Sequence, residues 1–366
     1  MAIPIRKLMS GGTVVGLTEF QTGDKIPSDY LDIPPIPAGD NLIINGDFSV
    51  AQRGTTFNST TWRKNDDDSY LLDRWLLLSD GNDIVDVTQI SGAFSRSRYA
   101  LQAEVETANK KFGFCQIIEA NTCIPLRGQK ISVSFAAKTV TDKLIGNVRV
   151  AVLEWTGTAD TVTSDVVSDW TGNLTFAENW VALNTPDNLA LTTSEQTFKV
   201  ENLTVGASCN NLAVFIWVDD TDAAVDDILQ LGEVQVVRGS VVPEFVVRDD
   251  FNTCLSRFIE ISAGTEVSYR LLFGYFKSTT ELYILVPLPA SFTSTPTLIQ
   301  RGGFVLNQGV PSSVSGTVTS ITVSKTFPNA VLIICNSTGF TEGAFGALGT
   351  NTTVDEIKSI IFEAEL

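Results

Sequence analysis

The period-two alternation across residues 131–138 limits the fold more than any other stretch of the chain. Ile131, Val133, Phe135 and Ala137 are apolar, and Ser132, Ser134, Ala136 and Lys138 fall between them. That pattern reads as a strand with one face buried. Tyr99, Leu101, Ala103 and Val105 repeat it against Gln102, Glu104 and Glu106, and Phe112 with Phe114 begins another strand. Val148, Val150 and Val152, and Leu212, Val214, Ile216 and Val218, sit in runs that are apolar on both faces. Such runs suit the central strands of stacked sheets. Turn-rich pieces at 79–83, 156–158, 171–173 and 185–188 separate the strands. No helical period appears between them, so residues 41–248 are predicted to form an all-β sandwich, with a jelly roll as the best guess.

The flanks differ. Residues 1–40 combine Gly11-Gly12, Gly16, Gly23 and Pro27 with Ile33-Pro34-Pro35-Ile36-Pro37. Prolines at that density remove ladder donors and favour extended backbone. Two readings stay open: a flexible leader, or an extended arm that orders against a partner by burying Leu17, Phe20, Ile26, Tyr30 and Leu31. The run Leu42-Ile43-Ile44-Asn45-Gly46-Asp47-Phe48-Ser49 is predicted to be the first strand of the sandwich, broken by a turn or bulge. Asp249 or Asp250 is expected to cap a short helix with the stripe Phe251, Leu255, Phe258 and Ile259. Strands then resume at 270–276, 281–286, 303–306, 320–324 and 330–335. The alternation of Ile360, Phe362, Ala364 and Leu366 ties the last residues into a sheet. Residues 249–366 are therefore expected to form a short helix and a smaller C-terminal β-domain.

Composition excludes several functions. Formal charge is −17, from 25 basic and 42 acidic residues. No Lys/Arg cluster supplies the basic face that nucleic acid needs. Histidine is absent, which removes His-activated nucleophiles, His-containing zinc sites and imidazole pH switches. The five cysteines have no CxxC spacing, so a disulfide framework is not expected and folding in a reducing cytoplasm is the simpler reading. The first nine residues lack the apolar core of a secretory signal, and no run approaches the ~20 apolar residues that span a bilayer.

A family resemblance lies in the order of several motifs. Residues 41–54, Asn-Leu-Ile-Ile-Asn-Gly-Asp-Phe-Ser-Val-Ala-Gln-Arg-Gly, resemble the opening of a jelly-roll domain of bacteriophage tail-fibre and related virion proteins. Tyr70-Leu71-Leu72-Asp73-Arg74-Trp75 matches that family's Tyr-x-x-Asp-Arg-Trp. Further matches are Cys115-Gln116-Ile117-Ile118-Glu119 and Leu126-Arg127-Gly128-Gln129-Lys130. The family's usual closing segments are altered here, to Gly232–Gly239 and to Pro243-Glu244-Phe245-Val246-Val247-Arg248. Cys254-Leu255-Ser256-Arg257-Phe258 is similar to its Cys-Gln-Arg-Tyr, and Phe362–Leu366 to its Asp-Ala-Glu-Leu ending. Gly23–Leu31 resembles fibre N-termini. The resemblance implies a virion structural protein carrying a carbohydrate-binding-module-like sandwich, attached through residues 1–40 to other virion proteins and assembled as a homotrimer. It also implies a structural calcium near the first strand, with Asp47 as its ligand.

Sugar recognition needs exposed aromatic faces beside planar polar groups. Trp62, Trp155 and Trp170 lie in polar, loop-like sequence and are the candidate carbohydrate-binding residues, while Trp75, Trp180 and Trp217 read as core. The clusters Asn65-Asp66-Asp67-Asp68 and Asp219-Asp220-Thr221-Asp222 could supply oxygens to calcium, but neither follows EF-hand spacing. Solvated loops are the plainer reading of both. A glycan-cleaving enzyme would need a carboxylate pair flanking a groove. In so acidic a chain such a pair is always imaginable, so no catalytic residue is assigned. The expected role is a tail-fibre or spike subunit on the virion surface that binds a host surface polysaccharide. The alternatives are a capsid- or tail-decorating protein without glycan affinity and, less favoured, a cleaving tailspike.

Overall fold

A computed structural model describes residues 41–219, 223–264, 270–292, 294–308, 314–350 and 357–365, with the backbone of two short N-terminal strands. These two, β1 (Leu8–Ser10) and β2 (Thr13–Val15), pair antiparallel. Leu17, Phe20, Ile26, Tyr30 and Leu31 lie outside the described residues. Among the described residues, no helix is long and apolar enough to cross a membrane.

The next fourteen strands run from β3 (Thr56–Phe57), β4 (Ser69–Tyr70), β5 (Leu76–Ser79), β6 (Val85–Ser91) and β7 (Tyr99–Val105) to β8 (Phe112–Ile118). A single helical turn, α1 (Ala120–Cys123), precedes β9 (Lys130–Thr139), β10 (Val148–Trp155), β11 (Val167–Asp169), β12 (Thr175–Phe176) and β13 (Trp180–Ala182). The group ends with β14 (Gln196–Thr204), β15 (Asn211–Val218) and β16 (Ile228–Arg238). Twelve of them form two six-stranded antiparallel sheets, ordered β13-β10-β15-β8-β5-β4 and β14-β9-β16-β7-β6-β3, and β11 pairs with β12. The sandwich core sits between them, and Ile131, Val133, Phe135 and Ala137 face it as their alternation requires.

The first sheet is buried on both sides. Its inner face contributes Val148, Val150, Val152, Leu212, Val214 and Ile216 to the core. Its outer face, with Leu153, Trp155, Phe215 and Trp217, is roofed by the excursion between β10 and β13, which brings Val166, Val167 and Trp180 down onto it. That roof explains why β10 and β15 are apolar on both faces.

The expected first strand is not a strand. Leu42–Phe48 is a chain of bends and turns, with Asn45 (φ 57°) and Phe48 (φ 54°) in the left-handed region. Two of its amides bond to side chains distant in sequence: Ile44 N donates to Gln116 Oε1 (2.8 Å) and Asn45 N to Asp250 Oδ2 (2.7 Å). The stretch lies across the register shift of β16 between Gly232 and Gln235, where Val234 N donates to Gly46 O. A Cβ on Gly46 would stand 2.1 Å from Val234 O, so this close approach requires glycine.

The remaining elements are α2 (Phe251–Leu255) and strands β17 (Phe258–Ser262), β18 (Arg270–Phe276), β19 (Glu281–Pro287), β20 (Thr297–Arg301) and β21 (Phe304–Gln308), then β22 (Val314–Thr317), β23 (Ser320–Phe327), β24 (Ala330–Asn336), β25 (Phe345–Thr350) and β26 (Ser359–Glu363). The helix is shorter than its stripe predicted, because Phe258 and Ile259 already pair with β26. Phe251 is exposed, and Cys254 supplies the buried side. The sheet β17-β26-β20 packs on one face of the sheet β22-β21-β25-β18-β19-β24-β23, enclosing Phe276, Leu282, Ile284, Phe304, Ile333 and Phe362. β26 is buried over Ser359–Phe362, with Ile360 and Phe362 in this core and Ile361 buried on the opposite face.

The motif residues of the chain meet where the two β-units touch. The Arg53 guanidinium is fully buried and bonds Asp73 (3.2 Å), Glu363 (2.9 Å) and Glu365 (2.9 Å), over the ring of Phe258 at 4.2 Å. Arg74 (φ 72°) bonds Glu119, Glu365 and Ile117 O, and Arg257 shares Glu119. Trp75 Nε1 donates to Asn45 O, and Arg248 holds Asp250 together with the carbonyls of Asn41 and Ile43. Tyr-x-x-Asp-Arg-Trp is thus an architectural motif here.

Candidate functional site

A polar cleft of about 220 Å³ opens on the outer face of the second sheet. Register builds its floor: Lys199 on β14 and Gln235 on β16 both lie opposite Ser134 on β9. Gln235 Nε2 donates to Ser134 Oγ (3.0 Å) and to Pro243 O (2.9 Å), which fixes the amide plane. Thr197 stands two residues before Lys199 on the same face. Arg96, from the β6–β7 loop, and Pro243, Glu244 and Phe245, from the segment after β16, form the walls.

Glu233 is the buried carboxylate of this cleft. It occupies the register shift of β16 with φ 53°, a left-handed conformation that a non-glycine residue adopts at a cost of order 1 kcal/mol. The shift turns its side chain to the cleft instead of the core. Arg96 N donates to its Oε1 at 2.7 Å. Burial raises its pKa above the ordinary glutamate value, and the amides of Arg96 and Ser97 partly offset that. Arg96 pairs at 2.8 Å with exposed Glu244. Two hydroxyls, an oriented amide, two carboxylates, two cations and a phenyl ring therefore converge on one small space.

The tryptophans of the sequence reading are not gathered into one site. Trp155 is 5% exposed, with Trp180 at 5.2 Å between ring centroids and its Nε1 bonded to Thr158 O. It lies under the roof of the first sheet and offers no free face, because β10 extends three residues beyond its valine run. Trp170 is half-buried in that roof, edge-on to Phe215 at 6.0 Å. Trp62 is 37% exposed, with the guanidinium carbons of Arg63 at 5.1 Å and Arg301 at 4.8 Å from its ring centroid. It spans the two β-units. Trp75, Trp180 and Trp217 are buried, as read from the sequence.

Asp47, the calcium ligand that the resemblance implies, accepts at Oδ1 from Ser49 Oγ (2.9 Å) and Ser49 N (3.3 Å), a local turn. The neighbouring Asn45 O accepts from Trp75 Nε1. Among the described residues, no group of three or more acidic or cysteine side chains could hold a metal ion. The acidic run 65–68 disperses: Asn65 bonds Asp83 and Asp86, Asp67 accepts from Ser79 N, and Asp68 from Ser164 Oγ. Asp219 pairs with Lys111 and Arg149.

A second cleft, about 310 Å³, lies between the units and is lined by Asp68, Tyr70, Val162, Ser164, Thr297, Glu363 and Glu365. Its two glutamates are held by Arg53, Arg63 and Arg74. Arg74 and Arg53 hold the Glu365 carboxyl below its ordinary range despite burial. That is opposite to the raised pKa a general acid needs. All five cysteines are free and buried, with Cys115 and Cys123 in different clusters.

The cleft residues Lys199, Glu233, Gln235, Arg96 and Phe245 were not singled out by sequence reasoning. One signal was available: Gly232-Glu233 interrupts an apolar strand pattern, which marks a bulge.

No protein-family model matches the chain, and no curated protein matches it. Solved structures offer likenesses of strand arrangement. TmCBM61, in complex with β-1,4-galactotriose, is 14% identical over 54% of this chain and 99% of that one, with a TM-score of 0.31. The enzymatically active domain of bacteriophage CBA120 tailspike protein 4 is 14% identical over 54% of this chain and 21% of that one, TM-score 0.33. The CBM22-1 xylan-binding domain of Paenibacillus barcinonensis Xyn10C is 12% identical over 56% of this chain and 97% of that one, TM-score 0.32. Likeness at this level carries no ligand with it.

Proposed function

We propose that this chain is a non-enzymatic structural subunit of a bacteriophage particle, a tail fibre or spike component, whose sandwich binds a host surface glycan in the cleft around Glu233. The observation that carries the binding reading is the row Lys199–Ser134–Gln235 beside a buried carboxylate and Phe245. A sugar presents paired hydroxyls that each donate and accept, plus an apolar C–H face. The row supplies donors and acceptors in a line, Glu233 accepts, and the phenyl ring covers an apolar face. The virion role is supported by the order of motifs from Asn41 to Glu365 and by the Pro-rich leader.

The test is a glycan array followed by titration calorimetry on the full chain. A Lys199→Ala, Gln235→Leu double variant, or Glu233→Gln, should weaken binding about tenfold or more, since each lost bond to a charged group is worth ~1.5–3 kcal/mol. A blank array at high protein concentration would favour a decorating protein without glycan affinity. Release of reducing ends from host polysaccharide would instead make it a cleaving spike.

A further inference from the structure

The seven-stranded sheet of the C-terminal unit has one face packed on β17-β26-β20, and among the described residues nothing covers the other. The uncovered face is apolar. Strand register places Phe345, Tyr275, Tyr283 and Ile334 side by side across β25, β18, β19 and β24. In the neighbouring row Phe273 lies opposite Ala347, and Leu285 opposite Leu332. Phe345 is 84% exposed, Phe273 64%, Leu285 60% and Tyr275 49%. No charged side chain stands in these two rows between β25 and β24. Lys325 lies beyond Leu332 on β23, and Lys277 and Glu281 lie at the β18–β19 turn.

We infer that this face is a self-association surface, occupied by the same face of a second copy of the chain. Its four most exposed side chains present on the order of 500 Å² of apolar area, at the upper end of what a monomer leaves uncovered as its largest patch. The half-buried Tyr283, Leu332 and Ile334, with the rim, bring it towards the ~800 Å² per partner of a standard stable interface. Charge selects the occupant. At −17, two copies repel over most of their surface, and these rows are where they can meet without opposing carboxylates. Aromatic enrichment with charge depletion is the composition of an interface core. A flat sheet face is complementary to another such face at about 10 Å.

Native mass spectrometry and sedimentation of the full chain at micromolar concentration test this. The expected result is a dimer for the natural chain, and a monomer with an unchanged circular dichroism spectrum for Phe345→Asp. Leu285→Lys, on a different strand, should give the same outcome, so misfolding of one variant does not obscure the answer. A monomeric natural chain, or variants that keep its oligomeric state, would overturn the inference. A monomeric chain that loses polysaccharide binding on Phe345→Asp would make the face a sugar platform instead, and would equally overturn it. Because the cleft residues are untouched, glycan binding there can fail or succeed independently.

Discussion

Asp86 shows how a single carboxylate registers the acidity of the chain. Burial, with Glu106, Asp83 and Glu104 nearby, raises its pKa from 3.8 to about 6. A folded-state pKa above the unfolded value means full stability at low pH, with a penalty appearing as pH rises through about 6. Asp86→Asn keeps an acceptor for Asn65 Nδ2 and removes that penalty. Thermal melts should show the variant more stable at pH 7.5 and indistinguishable from the natural chain near pH 4. Single residues were unevenly legible in the sequence. Trp75 and Trp217 lie in continuous apolar runs, Trp75-Leu76-Leu77-Leu78 and Leu212–Val218, so burial could be read directly. Trp155 sits at the end of such a run next to Thr156-Gly157-Thr158, and the roof that buries it is formed by residues 166–180, which no local pattern could announce. Glu233 was missed because its accessibility depends on one register shift, whereas an unbroken alternation would have pointed it elsewhere.

Among elements, β26 has the most consequential position. It is the middle strand of a three-stranded sheet, and Glu363 and Glu365 leave its end to meet Arg53 and Arg74 on the sandwich. Removing one partner of a buried ionic cluster strands the others, at about 3–5 kcal/mol. Arg53→Ala should therefore lower the urea midpoint by that equivalent, with Arg53→Lys in between. The Glu365 carboxyl titrates below its unfolded value. Its contribution is present above about pH 4.5 and is lost as pH falls through the depressed folded value. Acid unfolding of the natural chain should be steeper than that of Arg53→Ala. The strand alternation of 131–138 and of 99–105 was legible because period two is a local property. The Leu42–Phe48 bend was not: its β-branched run has strand propensity, and tertiary contacts with Gln116, Asp250 and β16 override it.

At the scale of the whole molecule, two β-units with separate cores share one ionic junction, and an exposed apolar face lies on the C-terminal unit, away from the cleft. Attachment, recognition and self-association would thus occupy different parts of the chain. Deletion of residues 1–40 should leave a soluble protein with an unaltered melting profile, because the junction and both cores are built from residues after 40. Under the virion reading, particles made with this truncation should lack the subunit. Normal incorporation, scored by immunoblot of purified particles, would refute attachment through the leader.

The junction also sets a timetable for synthesis. Arg53 and Glu363 are 310 residues apart in sequence, and Arg74 and Glu365 are 291 apart. At ~5–20 residues per second on the ribosome, Arg53 emerges roughly 15–60 s before its distant carboxylates. Through that interval the nascent sandwich holds cations whose burial only the last strand can complete. A polypeptide terminated before β26 would keep this corner open and hydrated.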